Sequence, residues 1–169
     1  MTGIGVISPI GIGVRAFWAN TLAGKVGTAR LTRFDPGDCP SRVAAQVDDF
    51  EPADFIAGKQ LRRTERYSQF AVAATRLALD DAALVLDDGL RDDAGVWIGS
   101  ALGGLGFAEA QHAAFSSEGS RAVRPLLAIS VFGAAATANA ALAFGVRGPT
   151  VANSNSCAAG AVAIGDAYR

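Results

Sequence analysis

The chain has 169 residues, half of them hydrophobic and 18% charged, which is enough apolar matter for one packed domain and too much for a disordered chain. Fifteen basic residues stand against sixteen acidic ones, a formal net charge of −1, which excludes a field able to gather nucleic acid or an anionic membrane surface. The first positive side chain is Arg15, so no secretory signal is expected.

In chain order, residues 4–12 read as a short apolar strand that runs into the turn Ser8-Pro9-Ile10-Gly11. Residues 14–23 give a short helix with Phe17, Trp18 and Leu22 on one side, closed by Gly24. From Thr28 to Pro52 the pattern is irregular, with one strand-like piece at 42–47. The clearest helix is expected over 61–86, where Tyr67, Phe70, Ala74, Leu77 and Ala78 recur at helical spacing. Its basic start, Arg62-Arg63-Thr64-Glu65-Arg66, reads as a solvated face. A buried strand follows at 94–99, and a helix is expected from Gly103 through Phe115.

Between Pro125 and Arg147 lie 21 residues without a charge, long enough to cross a bilayer. They are mostly Ala, include Ser130, Thr137 and Asn139, and lack aromatic or basic anchors. One wholly buried helix over 126–146 is therefore expected, and no membrane span. Arg147-Gly148-Pro149 breaks the chain, Thr150 to Asn155 extends, and helix is expected from Cys157 to the last residue. Strand and helix alternate, which predicts an α/β fold with a layered mixed β-sheet and helices on its faces.

Several motifs are absent. Gly3-Ile4-Gly5-Val6-Ile7-Ser8 lacks the third glycine of a dinucleotide fingerprint, and no Lys-Ser/Thr follows residues 99–106 to make a phosphate loop. The Gly-x-Ser-x-Gly elbow is missing, and the single histidine, His112, sits on an expected exposed helix face. Cys39 and Cys157 lie far apart without a pairing or zinc-ligand pattern, so neither a disulfide nor a metal site is expected, and a reducing, cytoplasmic setting is.

Cys157 holds the chemistry. It lies among small residues, Asn153-Ser154-Asn155-Ser156-Cys157-Ala158-Ala159-Gly160-Ala161, where a strand hands over to a helix. Backbone N–H groups at a helix start favour a thiolate, and they can also hold the oxyanion formed when a thioester carbonyl is attacked. On its own residues, before any resemblance, Cys157 reads first as a small buried hydrophobe and only second as a nucleophile.

Four segments in order carry a family resemblance: Thr2-Gly3-Ile4-Gly5-Val6-Ile7-Ser8-Pro9-Ile10-Gly11; Arg62-Arg63-Thr64-Glu65-Arg66-Tyr67-Ser68-Gln69-Phe70-Ala71; Ile98-Gly99-Ser100-Ala101-Leu102-Gly103-Gly104-Leu105; and Gly145-Val146-Arg147-Gly148-Pro149 with Ser156-Cys157-Ala158-Ala159-Gly160. With these the chain resembles the β-ketoacyl-acyl carrier protein synthases, the elongating condensing enzymes of fatty acid and polyketide assembly. The resemblance implies a thiolase-like fold, of which residues 1–169 make one incomplete N-terminal domain and the second half is absent. It implies Cys157 as the acyl-accepting nucleophile, with Leu102 and Phe132 lining the acyl pocket and Gly160 leaving room beside the thiol. It implies no cofactor, acyl carrier protein bearing acyl and malonyl thioesters as partner, and a homodimer.

In that family two histidines and a lysine from the second half promote decarboxylation, so the chain is expected to be inactive alone. Met1 stands where Val is common in a longer first strand, and Ser156 stands where Ala is frequent before the nucleophile. The segment 129–133 differs from the commonest elongating version, which leaves the acyl chain length open. A polyketide-type ketosynthase and a non-catalytic partner resembling a chain-length factor are the alternatives; Cys157 speaks against the second.

Overall fold

The computed structural model describes residues 1–169 as short strands and helices in alternation, falling into two compact units. The first comprises Met1–Glu51 with Ala73–Leu84, and the second Pro52–Val72 with Val85–Arg169.

In the first unit the expected strand over 4–12 is folded back on itself. Ile7–Ser8 (β1) pairs antiparallel with Gly11–Ile12 (β2), and the Ser8 hydroxyl braces the turn, donating to the Gly11 carbonyl at 3.0 Å and accepting from the Ile10 N–H at 3.3 Å. Pro9 brings no N–H, so the strand cannot continue its ladder through the turn. The residues before β1 lie against a helix instead. A Cβ on Gly5 would stand 1.9 Å from the Ala74 carbonyl oxygen, and one on Gly3 would stand 2.1 Å from that of Ala78. Only glycine permits that approach.

Val14–Leu22 (α1) leaves through Gly24 at φ 67°, as expected, yet Trp18 and Leu22 are exposed and do not share a buried side with Phe17. Thr28–Arg30 (β3) pairs antiparallel with Val43–Ala45 (β4). The first of these strands has no apolar alternation to betray it. The Gln46 side chain supports the pair, accepting from the N–H groups of Thr32 and Arg33 and donating to the Thr32 hydroxyl at 3.0 Å.

The long helix expected over 61–86 is two helices, Gly58–Leu61 (α2) and Arg66–Asp81 (α3). Thr64 turns its hydroxyl back to the carbonyls of Gln60 and Leu61, and Gln69 donates to the Thr64 carbonyl at 2.9 Å, so side chains take over at the break. Residues 66–72 of α3 belong to the second unit and residues 73–81 to the first.

The later segment of the second unit opens with Asp88–Asp93 (α4), unforeseen in the sequence although Asp87 caps it by accepting from the Leu90 N–H at 2.8 Å. Val96–Gly99 (β5) then pairs in parallel with Thr150–Asn153 (β6), in the register Val96 to Thr150 through Gly99 to Asn153. A parallel pair needs a crossover. Here it is Leu105–Glu118 (α5), a 3-10 turn at Ser120–Ala122, Leu127–Ser130 (α6) and Ala135–Phe144 (α7). Ala159–Tyr168 (α8) packs on β5.

The single buried helix expected over 126–146 is thus interrupted at 131–134. The Val131 carbonyl accepts from the Gly104 N–H at 3.4 Å, and the Phe132 carbonyl accepts from the Tyr67 hydroxyl at 2.8 Å. Burial pushes the Tyr67 phenol above its usual range. A Cβ on Gly104 would stand 2.3 Å from the Ser130 carbonyl oxygen, so a neighbouring loop occupies the space a continuous helix would need. α7 buries Ala135, Ala136, Thr137, Ala140 and Phe144 but leaves Leu142 79% exposed, so it is not buried all round. No helix is long and apolar enough to cross a membrane. The α/β class holds, while the strands form three two-stranded pairs and not one layered sheet.

Candidate active site at the β6 to α8 corner

Three residues aim the chain into β6. The Arg147 N–H donates to the Arg91 carbonyl at 2.7 Å, its guanidinium pairs with the Asp92 carboxylate, and it also reaches the Asp88 carbonyl at 3.1 Å. That hydrogen bond from Arg147 holds the Asp92 carboxyl below the usual carboxylate range. Gly148 passes so close to α4 that a Cβ would stand 2.2 Å from the Ala94 carbonyl oxygen. Pro149 then offers its carbonyl to the Val96 N–H at 2.8 Å, where the β5–β6 pairing begins. The Arg-Gly-Pro run therefore makes physical sense as a charged anchor, a backbone contact and a rigid entry into an extended strand.

Beyond β6 the chain turns sharply. Ser156 sits at φ 50°, a left-handed conformation that costs a side-chain-bearing residue on the order of 1 kcal/mol. Cys157 lies in the 3-10 turn Ser156–Ala158, and the α-helix proper begins two residues later, at Ala159. The thiol is free and exposed, so Cys157 is no buried structural residue in this chain. Cys39 is likewise free and exposed, in the first unit.

Gly160 is the second residue of α8, and a Cβ there would meet nothing within 4 Å. Leu102 is 69% exposed in the turn after β5, where the Ser100 hydroxyl accepts from the Gly103 N–H at 3.0 Å. Phe132 lines a cavity of about 590 Å³ with Ile129, Leu142, Gln60, Lys59 and Arg63. Neither Cys157, Leu102 nor Gly160 borders that cavity, so the structure brings Cys157 and Gly160 to one corner and sets Phe132 on another wall. The backbones of the loops do converge, since Gly103 lies against Val131 and Gly133, and Gly133 lies beside the Ser154 hydroxyl.

Arg63, read as part of a solvated face, lines the Phe132 cavity together with Lys59. Tyr67, which donates to the Phe132 carbonyl, is marked by its helical spacing and by its place in a resemblance segment, neither of which shows this contact. His112 is exposed on α5 and borders a separate apolar groove with Phe115, Leu127 and Val131. No three His, Cys, Asp or Glu side chains are grouped as a metal site.

Comparison with known proteins places this corner in context. The family described as "Beta-ketoacyl synthase, N-terminal domain" matches residues 1–169. The 3-oxoacyl-[acyl-carrier-protein] synthase 2 of Staphylococcus aureus strain N315 is 36% identical over 169 residues, which span 100% of this chain and 41% of that relative. Among solved structures, the ishigamide ketosynthase/chain length factor superposes with a TM-score of 0.86 at 29% identity, over 98% of this chain and 44% of that one. A type II PKS acyl-carrier protein in complex with its ketosynthase, bound to the hexaketide, gives 0.77 at 25% identity, again over 98% and 44%. The chain spans about two fifths of the curated relatives it matches. With a thiol on the turn between strand and helix and the family match running over all 169 residues, the chain belongs to the β-ketoacyl synthases and corresponds to their N-terminal domain.

Proposed function

We propose that the chain carries the acyl-loading half of a decarboxylative condensation, with Cys157 as the nucleophile. The observation that supports this best is the exposed Cys157 thiol on the 3-10 turn that leads into α8. Its thiolate attacks the carbonyl carbon of an acyl thioester on acyl carrier protein, and the tetrahedral oxyanion is held in part by the backbone N–H of Cys157 itself. Collapse expels the carrier thiolate, which takes up a proton, and leaves the acyl group on sulfur. In the second step malonyl carrier protein loses carbon dioxide, and the carbanion attacks the acyl carbonyl. Cys157 then departs as thiolate, and the product is a β-ketoacyl carrier protein.

His112, the one imidazole of the chain, borders a groove that does not contain Cys157. His112 is therefore assigned no part in the decarboxylative step. Gly160 keeps the space beside the thiol open, and Leu102 and Phe132 contribute to the acyl-binding walls. The leading reading is a fatty acyl chain, and the hexaketide bound by one type II PKS ketosynthase neighbour supports a polyketide chain as the alternative. A second reading, a non-catalytic partner subunit, takes support from the ketosynthase/chain length factor neighbour.

Alkylation separates these readings. In the full chain iodoacetamide should modify Cys157 much faster than Cys39 at neutral pH, and prior incubation with an acyl-acyl carrier protein should protect Cys157 alone. Equal rates at the two thiols without protection would favour the partner-subunit reading. Substitution at Gly160 tests the open space. The site has no neighbour within 4 Å, so Gly160→Val should leave the thermal midpoint within a few degrees yet slow acylation of Cys157 at least about tenfold. Normal acylation of this variant would reduce Gly160 to a bystander.

A further inference from the structure

The loop that carries Cys157 is closed by one side chain. The Asn153 carboxamide donates through Nδ2 to the Ala159 carbonyl at 3.1 Å and accepts through Oδ1 from the Asn155 N–H at 3.3 Å. Its own carbonyl accepts from the Ser100 N–H at 3.0 Å. One residue thus ties the last rung of β6 to the end of β5, to the middle of the loop and to the first residue of α8. Ser154 to Ala158 lie inside that bracket, including Ser156 in its left-handed conformation and Cys157 itself.

We infer that Asn153 is a positioning residue for the Cys157 thiol, a role that rests on Cys157 being the acyl nucleophile. A loop that holds a strained residue on its exposed side relaxes unless its two ends are fixed. The exposed residues 154–158 bury too little to fix them by packing. Asparagine suits the task because its amide supplies a donor and an acceptor on one short, stiff arm, and here both are used. Leucine has the same branched shape with neither function, and aspartate keeps the acceptor while losing the donor. The bracket touches no substrate atom. It holds the sulfur where an incoming thioester carbonyl meets both the nucleophile and the backbone N–H groups, and a misplacement of about 1 Å there costs on the order of 100-fold in rate.

The experiment measures single-turnover acylation of the full chain by a panel of radiolabelled saturated acyl-acyl carrier proteins, for the unmodified protein, Asn153→Asp and Asn153→Leu. Thermal melts and the ratio of Cys157 to Cys39 alkylation are recorded beside it. The expected result for Asn153→Asp is an acylation rate constant about 10- to 100-fold lower, with half-saturating carrier concentration unchanged, a shifted alkylation ratio and a cooperative melt. Asn153→Leu should lose at least as much. Unaltered rate constants in Asn153→Asp, or losses that only follow the unfolded fraction in both variants, would overturn the positioning role while leaving the nucleophile in place. Failure of the unmodified protein to accept any acyl group on Cys157 would instead remove the nucleophile reading, and this role with it.

Discussion

Replacing Cys157 by alanine should abolish acyl transfer to the protein while leaving its thermal midpoint within about 2 °C of the unmodified chain. Surface substitutions away from special features lie within about 0.5 kcal/mol, and each kcal/mol moves the midpoint of a chain this size by roughly 2–4 °C. Cys157 is exposed, and its sulfur forms no disulfide. Alanine also suits the short turn Ser156–Ala158, which already contains Ala158. The measurement pairs radiolabel incorporation from an acyl-acyl carrier protein with a thermal melt. Persistent labelling of Cys157→Ala would place the nucleophile elsewhere.

Gly99→Ala should be the most damaging small substitution near the site. A Cβ there would stand 2.0 Å from the Ala159 carbonyl oxygen and 2.2 Å from its carbon, and neither is the movable end of a side chain. Backbone must shift, either β5 away from β6 or the first turn of α8 away from β5. Overpacking of this kind costs about 3 kcal/mol, which corresponds to a fall of about 6–12 °C in the midpoint. Acylation should fall further than the melt alone explains, because the displaced Ala159 is also the residue to which Asn153 donates. Gly106→Ala is the control. It lies within α5 with nothing within 4 Å of a new Cβ, so it should raise stability by about 0.5–1 kcal/mol and leave acylation unchanged. Equal melts for the two variants would show that the contact between Gly99 and Ala159 does not constrain the corner.

The elements flanking the thiol were the most legible in the sequence, because local signals agree there. An apolar run marks β5, Arg147-Gly148-Pro149 marks the entry to the extended segment of β6, and small residues open α8. Some departures come from contact between segments remote in sequence, and others from side-chain hydrogen bonds that leave no periodic signal. The uncharged stretch over 126–146 reads as one helix until Gly104 and Tyr67 claim the carbonyls of Val131 and Phe132 from outside it. Helical spacing over 61–86 conceals the break at Thr64, whose hydroxyl folds back on the preceding turn. α4 and β3 contain too few apolar residues to give any period, and they form on a cap and on cross-strand hydrogen bonds instead. The Asn153 bracket is legible only in three dimensions, since an asparagine at a strand end is an ordinary turn residue by its sequence context.

The parallel pairing of β5 with β6 also fixes when the nucleophile loop can form. The two strands lie roughly fifty residues apart along the chain, and the loop between them must close before the first rung stabilises anything. Contacts of such high sequence separation form slowly compared with the helices of the crossover, which fold locally. The turn bearing Cys157 is tied to the end of that pair, at Asn153 opposite Gly99, and so it is expected to take shape after α5, α6 and α7. A newly made chain therefore acquires its secondary structure well before its reactive geometry, and recovery of thiol selectivity after dilution from denaturant should lag behind recovery of helical signal.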